Sequence, residues 1–252
     1  MLIARDLSYA LDPVAFAQAA GIVCDPWQAG LLGAMPRRAL LNCSRQSGKT
    51  TTCALMATHV AAYEADSLVV IVSPSQRQSA EMLRGVRQLH GKVDGLPELI
   101  GDSVLKIELA NGSRVLALPG GEQGKTIRGL AGARLVIVDE AARVEDELLA
   151  AVRPMLATRS DGAFIMLSTP AGKRGAFYEL WHDGDPKWTR VRVPASDCPR
   201  ISQEWLDEEL KALGAARFSE EYELQFIDPE SSAFPTDIIT RAFTTELMPL
   251  WQ

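Results

Sequence analysis

Cysteine and histidine are scarce in this chain of 252 residues, four and three respectively. They form no C-x-x-C pair and no His/Cys set at ligand spacing, which argues against a disulfide framework or a structural zinc. Cys24, Cys43, Cys53 and Cys198 therefore read as small buried hydrophobes. No apolar run approaches the eighteen or so residues that a membrane span requires. The start, Met1-Leu2-Ile3-Ala4-Arg5-Asp6, lacks a basic stretch followed by a long apolar one, so no export signal is expected and a cytosolic setting follows. Positive charge is short as well: 26 Lys and Arg against 32 Asp and Glu leave a net charge of −6. A general electrostatic grip on nucleic acid is thus not advertised, although local Lys/Arg patches stay open. Repeats and low-complexity tracts are missing too.

What is present is an ordinary globular composition, 47% hydrophobic and 23% charged, enough for one sizeable core or a core with a small appendage. Asp12-Pro13 and Asp25-Pro26 each place a capping residue before a first-turn proline, so two short helices are expected, stopped by Gly21 and Gly33. Leu40 to Cys43, Ser67 to Ser73, Leu135 to Val138 and Phe164 to Leu167 are continuous apolar runs, the pattern of strands buried on both faces. Helical stretches alternate with them. Asn111-Gly112, flanked by Val104 to Leu109 and Arg114 to Leu118, predicts a β-hairpin added at one sheet edge. Trp188 to Val193 reads as a further strand; Ser202 opens one helix and Ala215 to Phe226 forms another. The expectation is an α/β fold, a mostly parallel sheet with helices on both faces, spanning residues 1–193. Residues 194–252 form a small, mainly helical lid or linker subdomain.

Residues 43 to 50 read C-S-R-Q-S-G-K-T between a strand and a helix. A loop of this kind turns backbone N–H groups inward at the positive end of a helix dipole and cradles phosphate. Ser44, Arg45, Gln46, Ser47, Gly48, Lys49, Thr50 and Thr51 are the binding candidates, with Lys49 reaching the β/γ-phosphates of ATP and Thr50 holding Mg²⁺. Cys43 stands where the general pattern has Gly. Leu135-Val136-Ile137-Val138-Asp139-Glu140 delivers two carboxylates to a strand's C-terminal end, where open α/β sheets bind ligands. Asp139 suits Mg²⁺ and Glu140 suits a base that orients water, or the pair simply caps the next helix.

Other positions carry two readings each. Ser168-Thr169 ends a buried strand and either senses the γ-phosphate or makes a local turn. Gln28 matches the Watson–Crick edge of adenine, with Trp27 beside it to pack on the base, or the two are a surface Gln beside a core Trp. Arg128, in a Gly-rich segment, neutralises a transferred phosphoryl group from a neighbouring subunit or is a solvated loop cation. Arg45 contacts the γ-phosphate or a carboxylate of the helical appendage. Ser73 to Gln78, with Arg84 and Arg87, touch a nucleic-acid backbone or form a solvated helix face.

Taken in order, W-Q at 27 to 28, S-R-Q-S-G-K-T at 44 to 50, S-P-S-Q-R-Q at 73 to 78, T-I-R-G at 126 to 129, L-V-I-V-D-E-A-A at 135 to 142 and L-S-T-P-A-G at 167 to 172 resemble the ATPase domain of the large terminase subunit of tailed bacteriophages. The resemblance implies a P-loop NTPase fold of RecA/ASCE type and a motor that drives double-stranded DNA into a procapsid. It implies ATP and Mg²⁺ as cofactors. Gln28 becomes the adenine reader, Arg45, Gly48, Lys49 and Thr50 a variant phosphate loop, and Asp139 and Glu140 the metal ligand and catalytic carboxylate. Ser168 and Thr169 become the coupling motif, and Arg128 a trans-acting arginine finger. Portal protein, small terminase subunit and a homo-oligomeric ring are the implied partners, with a monomer expected in isolation, no membrane, and the infected host's cytoplasm as the setting. The family's usual nuclease domain finds no room after Phe234-Pro235-Thr236-Asp237, so cutting activity is not expected. A superfamily-two helicase core and a nucleotide-gated scaffold that does not turn over are the alternatives.

Overall fold

The structure, a computed structural model, describes residues 2–120 and 130–228 together with Ile238 and Ala242. Three helices open the chain: α1 (Leu2–Leu11), α2 (Pro13–Ala19) and α3 (Pro26–Ala34). The two proline-led helices start where expected, and Asp12 caps α2 by accepting from the Val14 N–H at 2.8 Å. α3 runs through Gly33 and ends at Met35, which takes the left-handed conformation. The first helix has no cap or proline to announce it. It is fixed from outside, where its Tyr9 carbonyl meets His59 Nε2 at 3.0 Å.

Strands and helices then follow, alternating except at β3 to β6 and at α8 and α9: β1 (Arg38–Cys43), α4 (Lys49–Tyr63), β2 (Leu68–Ser73), α5 (Gln76–His90), β3 (Leu99–Ser103), β4 (Lys106–Leu109), β5 (Arg114–Pro119), β6 (Leu135–Asp139), α6 (Asp146–Val152), β7 (Ala163–Ser168), α7 (Gly175–His182), β8 (Thr189–Val193), α8 (Gln203–Leu213) and α9 (Ala215–Glu221). They form one eight-stranded sheet in the order β3-β4-β5-β2-β6-β7-β1-β8. Every pairing from β5 to β8 is parallel, and β3 and β4 join antiparallel at one edge. The fold is therefore α/β as the alternation required. The Asn111-Gly112 turn does join β4 to β5, yet β5 lies inside the parallel sheet, so the appended antiparallel part is β3 and β4.

Side chains of the central strands alternate between two cores, as the two-residue period of a strand dictates. Ala39, Leu41, Val69, Ile71, Leu135, Ile137, Ile165 and Leu167 pack with the helices of one face, α2 to α5. Leu40, Val70, Val72, Val136, Val138, Phe164 and Met166 pack with α6 and α7 on the other. A third small cluster, Ala195, Leu206 and Tyr222, holds α8 and α9 together. α9 ends at Glu221 rather than at Phe226. The chain turns at Leu224, φ +62°, and delivers the Phe226 ring to α7, 5.2 Å from Tyr178 and 6.3 Å from Phe177.

The cysteines largely follow expectation: Cys43, Cys53 and Cys198 are buried, but Cys24 is only half-buried. Among the described residues no helix is long and apolar enough to cross a membrane.

Candidate functional site

The C-terminal ends of β6, β7 and β1 lie side by side, because β7 is inserted between the other two. Each end carries one of the segments singled out by sequence: Asp139-Glu140, Ser168-Thr169 and the loop into α4. Parallel pairing puts all three at the same edge, where open α/β sheets bind ligands.

The loop is built from its own polar groups. Ser44 N donates to the Val193 carbonyl of β8 at 3.0 Å, and Ser47 Oγ donates to the Ser44 carbonyl at 2.8 Å. Gln46 and Gly48 both have positive φ, +59° and +90°. At Gly48 there is a second constraint: a Cβ would lie 2.8 Å from Gln28 Nε2. Glycine is needed there for conformation and for space. Cys43 is the last residue of β1, and burial pushes its thiol up to about 12. It is a packed strand residue, with no reactive thiolate to offer.

Lys49 begins α4, and its Nζ lies 3.6 Å from Glu140 Oε1. Glu140 itself sits in the left-handed region, φ +50°, a conformation uncommon for a non-glycine residue and one that turns the chain sharply off the strand. Its backbone N–H donates to Asp139 Oδ1 at 2.9 Å. Burial, reinforced by the Glu140 charge, pushes the Asp139 carboxyl up to about 6, while Lys49 and the Glu140 N–H act the other way. A buried carboxylate in that balance favours a nearby cation.

A profile described as "Terminase large subunit, T4likevirus-type, N-terminal" matches residues 40–241. This chain belongs to that family. Its fold is similar to the ATPase domain of the Thermus phage P74-26 large terminase, with a TM-score of 0.71 and 21% identity over 84% of this chain and 97% of that one. It is also similar to the HK97 bacteriophage large terminase, with a TM-score of 0.67 and 18% identity over 81% of this chain and 51% of that one. The thermophilic bacteriophage D6E large terminase, solved with ATP-γ-S, gives a TM-score of 0.63 and 10% identity over 86% and 52%. The chain thus spans about half the length of these last two terminases.

Within this terminase chain Arg143 joins two of the segments. Its Nη1 donates to Glu140 Oε2 at 2.8 Å and to Thr169 Oγ1 at 3.0 Å. Ser168 Oγ accepts from the Ala142 N–H at 3.2 Å and donates to the Thr169 carbonyl at 2.6 Å. Lys49, Glu140, Arg143 and Thr169 therefore form one polar chain across three strand ends. The sequence reading missed Arg143, although its position three residues after Glu140 is the spacing at which side chains on a turn meet.

Arg45 takes the second of its two expected partners: its Nε lies 3.0 Å from Glu221 Oε2 of α9. Arg200, also missed, makes a bidentate pair with Asp25, 2.7 Å on each oxygen, and donates to the Ser47 carbonyl at 3.1 Å. The two partners are 175 positions apart, and nothing local in the sequence signals the contact.

Gln28 is bonded within the fold, between α3, the loop and α4. It is 3% exposed, its Oε1 accepts from the Asp25 N–H at 2.8 Å, and its Nε2 donates to Thr52 Oγ1 at 2.9 Å and to the Gly48 carbonyl at 3.5 Å. Both amide hydrogens are thus spent on the loop and on α4. Trp27 packs against the interior, its buried Nε1 without a partner among the described residues. Thr50 is half-buried and Thr51 exposed, both lining a cavity of about 300 Å³ between α4 and α5. Arg84 pairs with Glu81 at 3.3 Å and Arg87 with Asp102 at 2.5 Å, so both cations are engaged by their own fold. Ser75 caps α5, accepting from the Gln78 N–H at 3.4 Å. Arg128 lies outside the described residues.

Proposed function

We infer that this chain is the Mg²⁺-dependent, ATP-hydrolysing motor module of a large terminase, driving double-stranded DNA into a viral procapsid. The observation that carries this reading is the 3.6 Å approach of Lys49 Nζ to Glu140 Oε1 across β7. A phosphate-binding lysine and a carboxylate in direct ion-pair contact at nearby strand ends mark the point where a terminal phosphate would replace the carboxylate on the lysine, leaving Glu140 beside it to face the attacking water.

In this reading Lys49 neutralises the β/γ-phosphates, and the N–H groups of residues 44–50 cradle them. Glu140 orients the water and takes its proton, while Arg143 holds that carboxylate in place. The donor set fits Mg²⁺: the Thr50 hydroxyl and the buried Asp139 carboxylate are hard oxygen ligands. Among the described residues no group of three or more His, Cys, Asp or Glu gathers to form an all-protein cage. That composition suits an ion completed by phosphate and water. When bound, Mg²⁺ draws charge off the β- and γ-phosphates. Thr169, bonded to Arg143, passes a change at Glu140 to the sheet edge, and Arg45 passes a change in the loop to α9.

Residues 1–193 then form the ATPase core and residues 194–252 the lid. Arg128 supplies a further cation from a neighbouring subunit of a homo-oligomeric ring. Portal protein, small terminase subunit and DNA are its partners, in the cytoplasm of an infected bacterium. The deciding experiment is Glu140→Gln: turnover falls on the order of 10²–10⁴-fold while Mg-ATP still binds by calorimetry. Turnover at the unmodified rate removes Glu140 from the mechanism and the reading with it.

A further inference from the structure

Resting on the ATPase reading above, we propose that Asn42 is a positioning residue for turnover: during the cycle its amide bridges Ser168 of β7 and Arg192 of β8, and so ties the Glu140 end of the site to the segment that follows α9. Asn42 lies one residue before the end of β1 and is 1% exposed. Neither its Nδ2 nor its Oδ1 has a hydrogen-bond partner among the described residues. A buried amide left unpaired is destabilising and rare in protein interiors. An apolar side chain, such as those of Leu40 and Leu41 beside it, would suit this place in the resting fold better.

The register of the sheet shows what stands on either side. Asn42 is opposite Ser168 on β7 and opposite Arg192 on β8. Neighbouring strands lie about 4.8 Å apart and residues in parallel register share a face, so the three side chains make one row. They stand on the side covered by α6 and α7, where Leu40 and Met166, two residues back on β1 and β7, are already packed. Both outer members are engaged away from Asn42. Ser168 Oγ accepts from the Ala142 N–H at 3.2 Å and donates to the Thr169 carbonyl at 2.6 Å, and Thr169 Oγ1 meets Glu140 through Arg143. Arg192 Nη2 donates to the Glu223 carbonyl, two residues beyond α9. One end of the row thus connects to the carboxylate that orients water, the other to the helical appendage, and Asn42 fills the place between them.

The chemistry is complementary on both sides. A serine oxygen accepts two bonds, and Ser168 has spent one on Ala142, so an amide N–H of Asn42 can take the second. The amide oxygen accepts from a guanidinium, which carries five donors. A small shift of the end of β7 against β1, set off when Glu140 and Arg143 respond to loss of the terminal phosphate, closes the row and pulls on Arg192 and Glu223 together.

Steady-state ATPase kinetics and thermal melting of the full chain test the assignment. Asn42→Val puts an apolar side chain of similar size, one that suits a strand, in place of the amide. Its Tm should be unchanged or raised, because no bond made at rest is lost, while kcat falls on the order of tenfold at an unchanged KM for Mg-ATP. Arg192→Met, at an exposed position, should lower kcat to the same degree, and the double variant should be no slower than either single one, since the row is already broken. Unaltered kcat in Asn42→Val overturns the proposal and leaves the ATPase reading intact. A lowered Tm alongside the lowered kcat overturns it also, because the amide is then engaged at rest, and so do losses that multiply in the double variant. Unaltered kcat in Arg192→Met refutes the row even should Asn42→Val fail to fold. Failure of the unaltered chain to hydrolyse Mg-ATP sinks the ATPase reading and this inference together.

Discussion

Gln28→Leu separates two roles that the same residue could play, a clamp on the phosphate loop or a reader of adenine. The substitution nearly conserves volume and removes every polar contact of a side chain that is 3% exposed. The Asp25 N–H loses its acceptor at 2.8 Å in a buried setting, which costs about 1–3 kcal/mol. Thr52 loses an incoming bond at 2.9 Å, yet its hydroxyl keeps its own bond to the Gly48 carbonyl at 3.0 Å, so little is added there. The leucine offsets part of the loss by burying apolar area, roughly 1 kcal/mol. The net is about 1 kcal/mol, or a fall in Tm of roughly 2–4 °C for a chain of this size. Scanning calorimetry reads that shift, and titration with Mg-ATP and Mg-tripolyphosphate reads the site. A clamp predicts a lowered Tm with both ligands weakened alike, because the loop that holds phosphate has loosened. An unchanged Tm with only ATP weakened would show the amide reading a base, and the clamp argument would be wrong.

Arg143→Ala should reduce ATPase kcat by about tenfold, a loss of roughly 1.4 kcal/mol, with KM for ATP nearly unchanged; a raised KM at constant kcat would instead place Arg143 on the nucleotide. Gly48→Ala introduces a Cβ at φ +90° and 2.8 Å from Gln28 Nε2, so urea unfolding should show a loss of about 1–3 kcal/mol, and an undisturbed midpoint would contradict the loop geometry. His59, largely buried, has its pKa lowered by burial despite its bond to the Tyr9 carbonyl. The unfolded chain then binds the extra proton more readily, so stability is full above the ordinary histidine value of about 6.5 and declines as pH falls below it. His59→Leu should flatten that part of the pH–stability curve, and an unaltered slope would assign it to other groups.

The strand, loop and helix order around Lys49, the acidic pair at the end of β6 and the hydroxyl pair at the end of β7 were legible from sequence. Each is a local pattern: continuous apolar residues demand a doubly buried strand, and the polar residues that follow must emerge at its end. The same holds for α2 and α3, whose proline and aspartate fix their starts, and for the Asn111-Gly112 turn. α1 carried no such mark, since its helix is held by a contact with His59 fifty positions away. Composition and periodicity likewise said nothing of strand order, and it is the insertion of β7 between β6 and β1 that brings Lys49 to Glu140 and Arg143 to Thr169. Gln28 shows the converse: its motif was plain in the sequence, but only packing could decide that its amide faces Gly48 and Thr52. Arg200 reaches Asp25 from the far end of the chain, and no local periodicity encodes a partner that the folded sheet alone brings within hydrogen-bonding distance.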